Sequence, residues 1–545
     1  MDQPQNAPGG LPDRAAALSS LDSRVWDLVV VGGGIVGAGI AHEAARCGLA
    51  TLLLERRDFA SGTSSRSSKL VHGGIRYLAQ FHFPLVFEAL RERNLLIKDA
   101  PVSAQRFLFP GYRGEKPPAW LLEVGMCLYD LLSWRGSPGH HRYRGAKATS
   151  RTLPSLRPEG LVGSSEYFDA RTDDSRLVIE ELRAAAAAGA TVINYAEAVG
   201  LERRGAEVEA VEARDILTGK DIRVRCRAVA GAVGPWLEPL LRLAGRPEER
   251  VLRTTKGAHL FVRARAEDPD RAVVLNDTKS GRILFFVPWK PGVQLVGTTD
   301  TDYRGDFDRV HADRADIDYI RTNHARAFRA PLRTDEILGT QAGLRPLLFA
   351  SGHDARTTSR EHRLLIPGDG NLVAIGGGKL TTYRPMARQV VAAARNILAS
   401  RGAPQPAALR PRRPLVTRPP LPASCPLPKE AITFCLGHFG YSDAVIRLAE
   451  RAAREPEWAR PLAGDRRLPR ALVAEAVRDE MAVRVGDVMY RRTRLALTEP
   501  DGALEVARAV AEEMGSLLGW DDHKREAEFA RYAVEAEADH AALRS

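Results

Sequence analysis

Asp27-Leu28-Val29-Val30-Val31-Gly32-Gly33-Gly34-Ile35-Val36-Gly37 opens a stretch that runs on to Thr51-Leu52-Leu53-Leu54-Glu55, and its reading decides the fold. Leu28 to Val31 is a continuous apolar run without polar alternation, as in a strand buried on both faces of a parallel sheet. From Ile35 to Cys47 small and apolar residues recur at helical spacing until Gly48 stops them, and Thr51 to Leu54 reads as a second buried strand. Gly32 permits a tight turn off the first strand, Gly34 lets the backbone approach a pyrophosphate, and Gly37 lets the helix pack close to the sheet. Glu55, about twenty residues on, is where a carboxylate takes ribose hydroxyls. Strand, turn, helix, strand and acid in this order predict a dinucleotide-binding βαβ unit, without saying which dinucleotide.

A chain of 545 residues with 44% hydrophobic composition can bury a large core and should divide into two or three domains. Its formal charge of +11 fits anionic partners, namely a phosphorylated substrate, an acidic membrane surface or nucleic acid; an Arg-rich solvated surface gives the same number. The five cysteines are scattered without a C-x-x-C pair, which fits a reducing compartment. No H-E-x-x-H pattern or Cys/His cluster suggests a metal, and His140-His141 reads as a loop pair. No apolar run has the length of a membrane span, and the first two dozen residues lack the core of a signal peptide. Asp2, Asp13 and Asp22 beside Pro and Gly make 1–24 a disordered tail in this reading.

After Glu55 the chain continues Ser61-Gly62-Thr63-Ser64-Ser65-Arg66-Ser67-Ser68-Lys69, then Leu70-Val71-His72-Gly73-Gly74-Ile75-Arg76-Tyr77-Leu78. Small hydroxyl and glycine residues let backbone come close to a flat ring or a phosphate, while Lys69, His72, Arg76 and Tyr77 supply donors. These two motifs resemble those of the FAD-dependent glycerol-3-phosphate dehydrogenases, flavoenzymes that pass electrons to quinone. The resemblance continues through Gly234-Pro235-Trp236, Gly297-Thr298-Thr299-Asp300, Gly343-Leu344-Arg345-Pro346-Leu347 and Gly376-Gly377-Gly378-Lys379-Leu380-Thr381-Thr382-Tyr383-Arg384. Arg491-Arg492-Thr493-Arg494 is similar to a motif of the family's C-terminal domain, so the likeness covers nearly everything after the tail.

The rest of the chain is consistent with that order. Leu85 to Lys98 is amphipathic at helical spacing, a helix packed on the core or lying on a membrane. Trp120 to Trp134 is an apolar segment. Leu177 to Gly189 reads as helix and Thr191 to Tyr195 as strand. Ala228 to Trp236 reads as a second strand and glycine turn beside the cofactor. From Val251 to Thr301 strands follow one another without helices, the pattern of an antiparallel or mixed sheet. Asp313 to Arg329 and Pro385 to Arg401 read as helices. The Pro-dense stretch from Arg410 marks a linker, after which the periodicity is helical, notably Pro469 to Met489 and Asp501 to Trp520.

The expected architecture is therefore α/β. A Rossmann-like FAD-binding domain (about 25–80, 145–236 and 350–409) joins an antiparallel or mixed-sheet substrate domain (about 81–144 and 237–349), and 410–545 forms a C-terminal helical cap.

The resemblance implies oxidation of glycerol 3-phosphate to dihydroxyacetone phosphate, with hydride passing to FAD and electrons to a membrane quinone. It implies cofactor contacts from Gly32, Gly34, Gly37, Glu55, Thr63, Ser64, Ser65, Ser67, Lys69, Gly234, Trp236, Gly377, Lys379, Leu380 and Thr381. Arg76, Tyr77, Arg345, Arg360 and Lys379 are the substrate-binding candidates, because a guanidinium fork suits phosphate. His72, Arg345 and Lys379 are the catalytic candidates, and His72 leads as base because Arg is hard to deprotonate. A cytoplasmic homodimer held peripherally on the membrane is expected. The alternatives are an oxidase of the same substrate that uses oxygen, an amine or hydroxy-acid oxidase on the same fold and, more distantly, an RNA-binding flavoprotein; no recognised RNA module supports the last, so no nucleic-acid partner is expected.

Overall fold

A computed structural model describes residues 10–115, 119–133, 136–246, 250–265, 267, 271–277, 281–349, 362–367, 370–403 and 409–544, without the side chains of Arg76, Ala79, Gln80 and Ala119. Strand Leu28–Val31, almost wholly buried, sits near the middle of a six-stranded sheet. Thr51–Leu54 and then Thr191–Ile193 lie parallel on one side of it. Val229–Gly231 and Leu372–Gly377 lie parallel on the other, and His362–Leu365 closes that edge antiparallel. The chain leaves Leu28–Val31 with neighbours on both sides, so the crevice beyond its carboxyl end is a topological switch point. Helices Ile35–Arg46, Asp174–Ala187 and Tyr383–Ser400 bury their apolar faces in the same core.

The second sheet has ten strands, eight along its main path and two paired to its side, and is mixed, as the run of strands implies. Leu252–Arg263 pairs antiparallel with both Val293–Gly297 and Ile337–Leu348, while Ala272–Asp277 runs parallel to Val102–Tyr112. This sheet stands over the crevice of the first.

The N-terminal expectation is corrected for residues 10–24. Arg14–Ser19 is a helix capped by Asp13, whose carboxylate accepts the Ala16 N–H at 3.0 Å, and Leu11 and Leu21 are fully buried. Arg14 reaches the carbonyls of Asn194 and Tyr195 and the carboxylate of Asp215, and the Leu11 N–H donates to the Asp479 carbonyl at 2.8 Å. Arg14 and Leu11 thus tie this stretch to partners far off in the chain. Residues 1–9 lie outside the described residues.

The C-terminal part is helical but more broken than its periodicity suggests. The helix expected from Pro469 to Met489 ends at Arg478, Met481 takes a left-handed φ of 58°, and a short π-turn follows over Val488–Arg492. That interruption aims Arg491, Arg492 and Arg494 at the main body. Likewise the helix expected from Asp501 starts at Leu504, because Asp501 and Ala503 are left-handed. The linker docks too: the Arg412 guanidinium donates to Glu181 and the Arg410 N–H to the Arg46 carbonyl.

Candidate functional site

The glycine turn and the elements facing it enclose a cavity of about 660 Å³. Gly32 has φ 111°, and a Cβ there would crowd the Ala232 carbonyl; one on Gly37 would collide with the carbonyl oxygen of Gly32. Only glycine therefore lets the helix Ile35–Arg46 start this close to the sheet. Gly34 caps that helix without a side-chain bond, and the Ile35 N–H is held by Ser64 Oγ at 3.0 Å. Glu55 accepts the Gly33 N–H at 2.6 Å and the Arg57 N–H at 2.9 Å, which fixes its carboxylate on the cavity wall. Burial pushes that carboxyl above its usual pKa, against the pull of the two N–H donors. A helix N-terminus on the wall, a fixed acid after the second strand and a largely apolar cavity fit the pyrophosphate, ribose and ring of FAD.

Thr63, Ser64, Ser67, Gly234, Trp236, Gly377, Lys379 and Leu380 line this cavity together with Gly32, Gly34 and Glu55. The Arg56 guanidinium stacks over the Trp236 ring at 4.5 Å. Three other expected cofactor residues are engaged elsewhere. Lys69 is 1% exposed and donates to Asp174 and to the Ser65 carbonyl, each at 2.9 Å; burial brings its ammonium down to about 8. Ser65 serves as that acceptor and also receives a bond from Arg494. Thr381 Oγ1 accepts the His72 N–H and donates to the His72 carbonyl, both at 3.1 Å, so it fixes the His72 backbone.

On the substrate side, Lys379 Nζ lies 3.7 Å from the centre of the Tyr77 ring, and Tyr77 is buried. Arg345 is drawn to the loop after Val293–Gly297: its guanidinium donates to Asp300 at 2.9 Å, to Thr298 Oγ1 at 2.8 Å and to the Thr299 carbonyl at 3.0 Å. Gly257 leaves room for it, since a Cβ at that position would collide with the guanidinium. The side chain of Arg76 and the whole of Arg360 lie outside the described residues.

One histidine in this neighbourhood escaped the sequence reading. His259, two residues beyond Gly257 on the same strand face, is 2% exposed, with Nε2 at 2.8 Å from Ser68 Oγ. Its Nδ1 is buried without a hydrogen-bond partner among the described residues. Burial, reinforced by the Arg345 and Lys69 cations, holds its pKa well below the usual imidazole value, so the ring is neutral at pH 7. In the sequence it looked like one position of an alternating strand; the glycine two places before it was the available signal.

The comparisons with known proteins agree with this geometry. Residues 27–391 match the family described as FAD dependent oxidoreductase, and residues 386–525 match the C-terminal domain of alpha-glycerophosphate oxidase. Glycerol-3-phosphate dehydrogenase 2 of Mycobacterium bovis is 36% identical over 560 aligned residues, covering 97% of this chain and 91% of the relative. The aerobic glycerol-3-phosphate dehydrogenase of Bacillus subtilis is 31% identical, covering 94% of this chain and 96% of its own. The solved glycerol-3-phosphate dehydrogenase of Bacillus halodurans, a complex with FAD, superposes with a TM-score of 0.76 at 25% identity and covers 97% of this chain and 98% of its own. With both domains matched and full-length relatives above 30% identity, the chain belongs to the FAD-dependent glycerol-3-phosphate dehydrogenase family.

Proposed function

We propose that this protein oxidises glycerol 3-phosphate to dihydroxyacetone phosphate and passes the electrons to a membrane quinone. The observation that carries the chemistry is the neutral, buried His259, whose Nδ1 has no partner among the described residues and whose ring feels the Arg345 charge. An orphan nitrogen of that kind is satisfied by an incoming hydroxyl, and a neutral imidazole can accept the hydroxyl proton. Arg345, pinned by Asp300, keeps a fixed positive charge next to the developing alkoxide. Lys379 places a cation on the wall of the cofactor cavity. FAD, when bound, supplies the hydride acceptor. His72 remains the second candidate for the proton; its backbone is clamped by Thr381. Arg76 and Arg360 are assigned to the substrate phosphate on the family resemblance.

The quinone reading rests on a separate surface. Among the described residues no helix is long and apolar enough to cross a membrane. Helix Ala119–Ser133 instead turns Trp120, Leu121, Val124 and Leu131 to solvent, next to Phe81, Phe83 and Phe87 at the start of helix Phe83–Asp99; Phe81 is 77% and Trp120 68% exposed. Exposed Arg91, one turn after Phe87, and Arg142 flank it with positive charge. An apolar helix face with aromatic ends and a basic margin suits the interface of an anionic bilayer, where quinone dissolves.

Anaerobic mixing tests the proposal: the bound yellow chromophore should bleach with glycerol 3-phosphate and stay oxidised with lactate or glycine. Reoxidation by a soluble quinone much faster than by air-level oxygen would favour the quinone; peroxide at the rate of turnover would favour oxygen instead.

A further inference from the structure

Outside the cofactor site one cluster combines a nucleophile, a base and an orienting acid. Cys127 and Asp130 stand three residues apart on helix Ala119–Ser133, and His141 returns to them from the following loop. Asp130 Oδ2 accepts both the His141 backbone N–H at 2.7 Å and ring Nδ1 at 2.8 Å. A carboxylate only accepts, so Nδ1 carries the proton in this pair, and in the neutral ring Nε2 then has its lone pair on the other side. Nε2 faces Cys127 Sγ at 3.5 Å. The neighbouring charges are Glu123, 3.9 Å from Nε2 and itself bonded by Ser165, and His140, 3.7 Å from Asp130. Cys127 is exposed, in contrast to Cys47, Cys226 and Cys435, which are buried. Burial pushes the thiols of Cys226 and Cys435 up to about 12, which silences them near neutral pH.

The geometry points to Cys127 as a reactive thiol, activated by the His141–Asp130 pair, that takes hydroperoxides as its electrophile. As Sγ attacks the terminal oxygen of the hydroperoxide, an S–O bond forms and the O–O bond breaks. The thiol proton passes to His141 Nε2 and from there to the departing oxygen. The sulfur loses two electrons and becomes a sulfenic acid; the peroxide is reduced to water or an alcohol. Nothing in this sequence uses the FAD cavity, so the site operates whether or not the cofactor is reduced.

The test uses the purified holoenzyme with hydrogen peroxide and a sulfenic-acid trap, and separately with iodoacetamide, with labelled peptides quantified by mass spectrometry. Cys127 should react about tenfold faster than the half-buried Cys425, which serves as internal reference. His141→Gln and Asp130→Asn should each slow Cys127 about tenfold while leaving Cys425 and flavin content unchanged. A variant that loosens the local fold would instead speed labelling by raising exposure, so the sign separates activation from unfolding. The assignment is overturned if Cys127 reacts no faster than Cys425, or if both variants leave its rate at the parent value.

Discussion

Arg492 and Asp58 are 434 residues apart in the chain and meet as a two-pronged buried ion pair, with Nη1 to Oδ2 at 2.8 Å and Nη2 to Oδ1 at 3.0 Å. Asp58 lies just after the second strand of the cofactor sheet, and Arg492 on the π-turn of the helical domain. Arg491 shares the same carboxylate, while Arg494 donates to Asp173 and Asp174. Both side chains of the first pair are essentially fully buried, so removing Arg492 strips a low-dielectric carboxylate of its two-pronged partner and leaves it Arg491 alone among the described arginines. Arg492→Met should therefore destabilise the protein by about 3–5 kcal/mol, read from the urea midpoint of unfolding.

The same interface sets an acid limit. Burial alone would raise the Asp58 carboxyl, but Arg492 and Arg491 outweigh it and hold it below the ordinary range. Asp173 is held down against burial by Arg494 and Lys290, and Glu181 by Arg412 and His42. A carboxyl depressed in the folded state contributes stability above its unfolded pKa and loses it as pH falls through the folded value. Stability should thus drop steeply below about pH 4, and Arg492→Met should make that drop shallower. Urea midpoints measured between about pH 6 and pH 3 check both slopes.

Gly34→Val isolates cofactor binding from folding. Gly34 has φ −82°, which any residue can adopt, and its missing Cβ faces Ser64 Oγ at 3.0 Å on the cavity wall. The variant should keep its helical circular dichroism and lose flavin absorbance, because the branched side chain occupies pyrophosphate space. Stoichiometric flavin in the variant would move the cradle elsewhere.

The two histidines make opposite predictions in anaerobic single-turnover mixing with glycerol 3-phosphate. His259→Asn should slow bleaching by about a hundredfold with flavin still bound, the size expected for a lost acid–base group. His72→Asn should slow it far less. The reverse ranking would transfer proton acceptance to His72.

The exposed aromatic face can be tested without assaying turnover. Trp120→Ser combined with Val124→Ser should weaken flotation with anionic vesicles, and moderate salt should weaken it further by screening Arg91 and Arg142. Equal flotation of parent and variant would place the membrane contact on another surface.

What could be read from one sequence was what depends on neighbours along the chain. The turn from Leu28 to Glu55 specifies its own strand, glycines and acid, and the structure builds it as read. The sheet over the crevice was legible because alternation is local. Lys69 looked like a ligand donor because Asp174, which takes its proton bonds, lies 105 residues away. The tail was misread for the same reason: Leu11 finds its partner at Asp479. His259 carried no local sign beyond Gly257, since its significance comes from Ser68 and Arg345, which other strands and loops deliver.

The pairing of early acids with late arginines has a consequence for synthesis. Asp58, Asp173 and Glu181 leave the ribosome long before Arg492, Arg494 and Arg412, so the emerging flavin-binding half carries buried-to-be carboxylates that still lack these late arginines. Its sheet can form early, but the surface that Asp58 and Asp173 occupy stays hydrated until the final helices appear. A chain stopped at the linker would therefore present Asp58 and Asp173 on an open flank where the finished protein seals them under Arg492 and Arg494.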